Sequence, residues 1–202
     1  MNQREIALTA VMSALTIVIA VGKGFAIPFL PGLIEFMTVI IFVNGFCFGP
    51  IIGGTIGTLT MAIRMIIPSP FAHPTAWIFT ISPILLVAEA VLGAMYGIVG
   101  GIVGRKWNPN LHKKFVAKIA LTGFTLTFIY QILSSVGFYL AYPIYPSMWD
   151  AIYWTFIPLF YPYPPITHAF TNTIVFALIG PALILAIKKL PTQTIVKQIV
   201  DS

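Results

Sequence analysis

Long apolar stretches separated by short polar connections dominate the chain. Six of them are long enough to form helices, at about residues 5–22, 33–48, 50–67, 77–104, 115–141 and 164–187. A bilayer core about 30 Å thick is crossed by roughly 20 apolar helical residues. The pattern therefore predicts an all-α integral membrane protein with six transmembrane helices, in a single transmembrane domain over residues 1–202.

The second and third segments are short and meet at Gly49 and Pro50. Proline lacks the amide hydrogen that a continuing helix needs, so we expect a tight helical hairpin here. Small residues share one helix face in two places, around this turn (Gly45, Gly49, Gly53, Gly57) and in the fourth segment (Ala90, Gly93, Ala94, Gly97, Gly101). Such spacing lets helices approach closely, and for the fourth segment it favours packing inside the monomer.

The composition leads to the same class of protein. Hydrophobic residues make up 58% of the chain and charged residues only 8%, whereas a soluble domain carries about 25% charged residues. Nine of the eleven Lys and Arg residues lie before the first segment, between the fourth and fifth, or after the sixth: Arg4, Arg105, Lys106, Lys113, Lys114, Lys118, Lys188, Lys189 and Lys197. Because cytoplasmic loops carry the positive charge, we expect both termini, and the tail at 190–202, to be cytoplasmic.

This orientation explains the net charge of +6 without a nucleic-acid partner, and it places the protein in the plasma membrane with the lipid bilayer as its surroundings. The first segment has one alternative interpretation. A cationic residue, an apolar run and small residues at its end also resemble a signal sequence, whose cleavage would leave five spans.

Three ionisable residues stand inside the predicted spans, where a charge costs about 2.5–3.5 kcal/mol on insertion scales. Glu35 lies 14 residues before Gly49, and Arg64 lies 15 residues after it. At about 1.5 Å per residue both stand roughly 21–22 Å from the turn, so we expect them to pair across the hairpin, as a structural ion pair or as part of a ligand site. Glu89 lies near mid-bilayer, either in a ligand cavity or as a protonated packing residue.

Further polar side chains concentrate in the outer half of the later spans. His168 and Asn172 are four residues apart and share one face of the sixth span, while Gln131 lies with Ser134 and Ser135 in the fifth. Single groups of this kind often form interhelical hydrogen bonds. Their concentration toward one side of the membrane instead predicts a ligand pocket there.

The connection from 139 to 165 is rich in aromatic residues and proline. Its tryptophans, Trp149 and Trp154, serve either as an interfacial aromatic belt or as part of a lid over the pocket. The predicted substrate-binding residues are Glu35, Arg64, Glu89, Gln131, Trp149, Trp154, His168 and Asn172.

Signals for catalysis are missing from the sequence. It contains no G-x-x-x-x-G-K-[ST] phosphate-binding loop and no H-E-x-x-H, and its three histidines lie on different segments. We therefore expect no enzyme, no catalytic residue, no metal site and no cofactor. The first span carries a different signal, because Ala7, Ala10 and Ala14 fall on one face and form a small-residue stripe suited to contact with another protein.

Three features of the chain resemble the substrate-binding (S) component of energy-coupling factor (ECF) transporters. Residues 6–15 are similar to that family's A-x-x-x-A stripe, here Ala10 and Ala14. Residues 31–35, followed by the F-G-P turn within residues 46–53, are similar to its second span and turn. The six-span plan with both termini inside covers nearly the whole chain.

The resemblance implies a small water-soluble vitamin or related micronutrient as substrate, bound in an outward-facing pocket. It also implies docking through Ala10 and Ala14 onto a transmembrane coupling subunit driven by two ATPases; Ala7 joins them because it shares their helix face. Two other functions are open at this point. One is a stand-alone proton-coupled secondary carrier with Glu89 as the proton site, and the other is a structural membrane scaffold.

Overall fold

The computed structural model describes residues 1–26, 35–67, 82–142, 144–156 and 165–189, with all their side chains except those of 23–26, 154–156 and 165–167. These ranges contain seven helices and no strand: α1 (Gln3–Ala26), α2 (Phe36–Phe48), α3 (Pro50–Ile66), α4 (Pro83–Lys106), α5 (Lys113–Ala141), α6 (Met148–Phe156) and α7 (Pro165–Lys189). The predicted all-α class is therefore confirmed. Four helices, α1, α4, α5 and α7, are long and apolar enough to cross a membrane, while α2 and α3 are shorter apolar helices.

Each predicted segment corresponds to one helix, but some predicted ends were wrong. The second helix begins at Phe36, because Glu35 has extended backbone and its side chain accepts a hydrogen bond from Met37 N as an N-cap. The fourth begins at Pro83, because Ser82 is extended; the predicted residues 77–81 lie outside the described residues, as does the tail at 190–202.

The largest difference is α6, which lies inside the connection predicted as a loop. Ser147 precedes the helix, and its Oγ accepts a hydrogen bond from the backbone N–H of Asp150 at 3.1 Å. The same hydroxyl donates to Asp150 Oδ2 at 2.6 Å. A serine followed three residues later by an acidic residue is a helix-start signal, and it begins a nine-residue helix that ends at Phe156.

Helices α2 and α3 form the predicted hairpin. Gly49 connects them with φ +96°, a conformation that glycine adopts without strain. Helix α4 packs against both through its glycines. A Cβ at Gly97 would meet the carbonyl of Gly53, and one at Gly93 would meet the carbonyl of Gly57. These backbone-to-backbone contacts confirm that the small-residue face of the fourth segment packs inside the monomer.

Helices α5 and α7 pack beside this group with larger side chains. Phe176 of α7 covers Gly123 of α5 and meets the ring of Phe42 from α2 edge-on, with ring centroids 5.4 Å apart. At the end of the molecule that carries the basic residues, Lys188 Nζ lies 5.2 Å from the ring centroid of Phe46. The two groups of helices meet along a line of polar side chains.

Helix α1 packs on α2 and α3 through a face that bears hydroxyl groups. Thr9, Ser13 and Thr16 are at most 3% exposed. The Thr16 hydroxyl donates to the Met12 carbonyl at 2.6 Å, whereas those of Thr9 and Ser13 have no hydrogen-bond partner in the described part of the chain. The three alanines of the predicted stripe, Ala7, Ala10 and Ala14, are exposed on another side of the helix.

Candidate substrate site

Two hydroxyl groups of α5 hold the carboxylate of Glu89. Tyr130 Oη donates to Glu89 Oε2 at 2.7 Å, and Ser134 Oγ donates to Oε1 at 2.6 Å. Residues four apart in a helix share one face, so the two donors reach the same carboxylate from adjacent turns. Glu89 is 5% exposed and forms no ion pair with any described side chain. Its position is therefore fixed by neutral groups only.

One turn along α5, a second set of hydrogen bonds joins four helices. Asn172 Nδ2 of α7 donates to Thr127 Oγ1 of α5 at 2.7 Å and to Thr38 Oγ1 of α2 at 3.3 Å. Tyr96 of α4 donates its hydroxyl to the same Thr127 oxygen at 3.2 Å. Asn172 is completely buried, and its Oδ1 has no hydrogen-bond partner among the described residues. An acceptor of this kind is costly to leave unpaired and fits a ligand donor.

Gln131 and His168 form a third contact at the same level. The Gln131 side-chain amide nitrogen Nε2 lies within hydrogen-bond distance of His168 Nδ1. The structure thus brings together the two residues that the sequence assigned to different spans of one pocket.

The Glu35–Arg64 pair is present across the α2–α3 hairpin, as predicted from the matching heights of the two residues. Arg64 Nη2 lies 3.9 Å from Glu35 Oε2, with the Glu35 side chain 8% exposed and the Arg64 side chain 29% exposed. Arg64 also interacts electrostatically with Tyr130 and Glu89. The ion pair therefore belongs to the same electrostatic environment as the carboxylate on α4.

We use the term polar cluster for the interhelical set made up of Thr38, Glu89, Tyr96, Thr127, Tyr130, Gln131, Ser134, His168 and Asn172. It comes from α2, α4, α5 and α7 and presents a carboxylate, amides, hydroxyls and an imidazole. Such a set of convergent polar groups between apolar helices can orient a small polar molecule. The described residues contain no group of three His, Cys, Asp or Glu side chains that could hold a metal ion.

The structure does not bring every predicted residue to this cluster. Glu89, Gln131, His168 and Asn172 belong to it, and the Glu35–Arg64 pair interacts with it. Trp149 lies on α6 with 73% of its surface exposed, and the side chain of Trp154 lies outside the described residues.

Four residues of the cluster were missed by the sequence analysis: Thr38, Tyr96, Thr127 and Tyr130. Thr127 and Tyr130 each take part in a hydrogen bond of 2.7 Å, yet threonine and tyrosine are also common in packed membrane helices. A signal for two of them was present, because Thr127, Tyr130 and Ser134 recur at helical spacing and mark one polar face of α5.

Comparison with known proteins adds one match. The family model described as "ECF transporter, substrate-specific component" matches residues 4–200 of the chain. Neither the curated proteins nor the solved structures gave a match.

Proposed function

The chain belongs to the substrate-specific components of ECF transporters, and from this membership we propose that it binds a small water-soluble vitamin or related micronutrient for import. A substrate-specific component is a transport subunit rather than an enzyme. In the proposal, the protein lies in the plasma membrane with six spans and with both termini in the cytoplasm. It docks on a transmembrane coupling subunit that two separate ATPases drive.

The observation that carries the substrate role is the polar cluster. Charged and amide side chains are expensive inside a membrane protein and are commonly functional there. Here Glu89, Asn172 and the Gln131–His168 contact meet between four helices, and the buried Asn172 Oδ1 has no partner in the described part of the chain. The proposed binding residues are those predicted from the sequence, together with Tyr130 and Ser134, which hold Glu89.

The docking role is supported by the exposure of one face of α1. Only 17% of the apolar window of this helix is buried inside the protein, and the small side chains of Ala7, Ala10 and Ala14 are exposed. Small residues leave a shallow surface against which a second helix can approach closely. The family membership does not favour the stand-alone proton-coupled carrier.

Affinity purification from native membranes tests the proposal directly. The tagged chain should co-purify with a second membrane protein and a pair of ATPases, and mass spectrometry of the released small molecules should identify the substrate. Matched purifications with an unrelated membrane protein of similar size control for nonspecific recovery. Recovery of neither ATPases nor a membrane partner would contradict the proposal, as would uptake by the purified chain alone in liposomes without ATP.

A further inference from the structure

The charge of Glu89 is not balanced by any contact in the described part of the chain. Both carboxylate oxygens accept from neutral hydroxyls, Tyr130 Oη and Ser134 Oγ. Hydroxyl donors favour the ionised form of a carboxylate but bring no positive charge of their own. The site therefore holds the Glu89 carboxyl group in position without giving it a cationic partner among the described residues.

Arg64, a cation that interacts electrostatically with Glu89, is already engaged elsewhere. Arg64 lies 3.9 Å from Glu35, and its electrostatic interaction with that residue is larger than its interaction with Glu89. Two carboxylates therefore share the field of one guanidinium group. A bound anion would add a third negative charge beside them, and like charges repel strongly where water is excluded.

The charges of the whole chain give the same sign at the predicted outer side. When Glu89 near mid-bilayer is included, three carboxylates (Glu35, Glu89 and Asp150) stand against two cations (Lys23 and Arg64) outside the predicted inner side. The other nine Lys and Arg residues belong to the predicted inner side. Residues 24–34, 68–81 and 157–167 contain no Asp, Glu, Lys or Arg. Glu89 thus gives this half of the chain one net negative charge, which attracts cations and repels anions.

From these observations we infer that the substrate of the polar cluster is an organic cation whose positively charged group is received by Glu89. This inference rests on the proposed function and names the charge of the substrate. A cationic group on the substrate supplies the positive partner that Glu89 lacks among the described residues. In the same polar cluster, Asn172 Oδ1 is buried and without a partner in the described residues, and it accepts a hydrogen bond from a second donor on the same molecule.

The test uses the full chain purified in detergent and a panel of small water-soluble heterocyclic compounds, divided into cationic, neutral and anionic sets of similar size. Thermal unfolding is measured with each compound for the wild type, for Glu89→Gln and for Glu5→Gln. Glutamine keeps the shape of Glu89 and accepts hydrogen bonds, but it removes the charge. Glu5 is the matched control, because it is a carboxylate near the N-terminus that pairs with the Met1 amino group, far from the polar cluster.

We expect cations alone to raise the melting temperature. The cation that stabilises the wild type most should bind the Glu89→Gln variant about 30-fold more weakly or worse than the wild type, because one partner of a buried charged contact is lost. It should bind the Glu5→Gln variant with the same affinity as the wild type. Stabilisation by neutral or anionic compounds alone would overturn the inference and leave the proposed function in place, as would cation binding that survives Glu89→Gln. Stabilisation by no compound of the panel would count against substrate binding, and so against the proposed function itself.

Discussion

At the level of single residues, two groups of hydroxyl side chains differ in whether they are hydrogen-bonded. Seven donate to the carbonyl four residues earlier in their helix, as helical hydroxyls commonly do: Thr16, Thr55, Thr58, Thr122, Thr125, Ser135 and Thr173. Thr9, Ser13 and Thr60 are buried without a partner in the described part of the chain, and so are both amide atoms of Asn44. An unpaired buried polar group costs about 1–3 kcal/mol, so α1, α2 and α3 carry polar groups that lower stability.

Replacing one of these hydroxyls by a methyl group of the same shape should therefore stabilise the protein. We expect Thr9→Val to raise the free energy of unfolding by about 1 kcal/mol, since it removes a desolvated donor without opening a cavity. The measurement is the midpoint of thermal unfolding in detergent. Thr16→Val is the matched control on the same helix face; its hydroxyl is hydrogen-bonded to Met12, so no gain is expected. Equal effects of the two substitutions would contradict the explanation.

The sequence predicted contacts between candidate site residues best where the depth of each residue in the membrane was enough to identify its partner. Glu35 and Arg64 were paired correctly because each is about the same number of residues from the turn at Gly49. Tyr130 and Thr127 were missed because the sequence of one helix does not show which carboxylate or amide on another helix its polar side chains contact. Helical spacing marks a polar face, but only the packing of α4 and α7 against α5 gives that face its partners.

At the level of helices, the contact of α4 with the α2–α3 hairpin is made by backbone rather than by side chains. Gly45, Gly53 and Gly97 lie so close together that a Cβ on any of them would overlap a neighbouring backbone atom. Close approach of this kind increases van der Waals contact, which drives helix association where lipid removes most of the hydrophobic effect. The close approach of these three helices follows from the absence of side chains at the interface.

Adding a single methyl group there should consequently be costly. We expect Gly97→Ala to destabilise the protein by about 1–3 kcal/mol or more, because the new Cβ meets the carbonyl of Gly53 and backbone must move. Gly22→Ala in α1 is the control, since a Cβ at that position has no neighbour within 4 Å. Thermal unfolding of both variants decides the matter, and a Gly97→Ala protein as stable as the control would disprove close packing of α3 and α4.

Long helices could be predicted from the sequence because their apolar periods extend over many residues. The short helix α6 was missed although Ser147 and Asp150 mark its start, because its nine residues include several aromatic side chains that favour strands and the nearby prolines suggested a loop. The start of α4 was misplaced for a related reason. Apolar residues continue before Pro83, and hydropathy does not record that the residue before a proline disfavours helical backbone.

At the level of the whole molecule, the two proposed activities lie on separate surfaces. The polar cluster is enclosed by α2, α4, α5 and α7, whereas the alanine stripe is on the exposed face of α1. Helix α1 contributes no residue to the cluster. Substitutions on its outer face should therefore affect coupling to partner proteins without altering the affinity for substrate.

We expect the double substitution Ala10→Leu and Ala14→Leu to abolish uptake in cells while leaving ligand binding by the purified protein unchanged, because two bulky side chains prevent close approach of a partner helix. Uptake and binding are measured in parallel. Ala117→Leu is the control, as Ala117 is likewise exposed but lies on α5. Loss of binding in the double variant would show that the stripe supports the receptor itself, and normal uptake would exclude docking at this face.

The placement of four donors and acceptors along α5 has a consequence for how such a receptor can change. Thr127, Tyr130, Gln131 and Ser134 contact side chains of α4 and α7, so nearly every contact in the cluster has one end on this single helix. The glycine-to-glycine packing that keeps the fold together involves other helices. Recognition of a different nutrient could thus arise from a few exchanges within one short stretch of sequence, while the architecture and the coupling surface stay as they are.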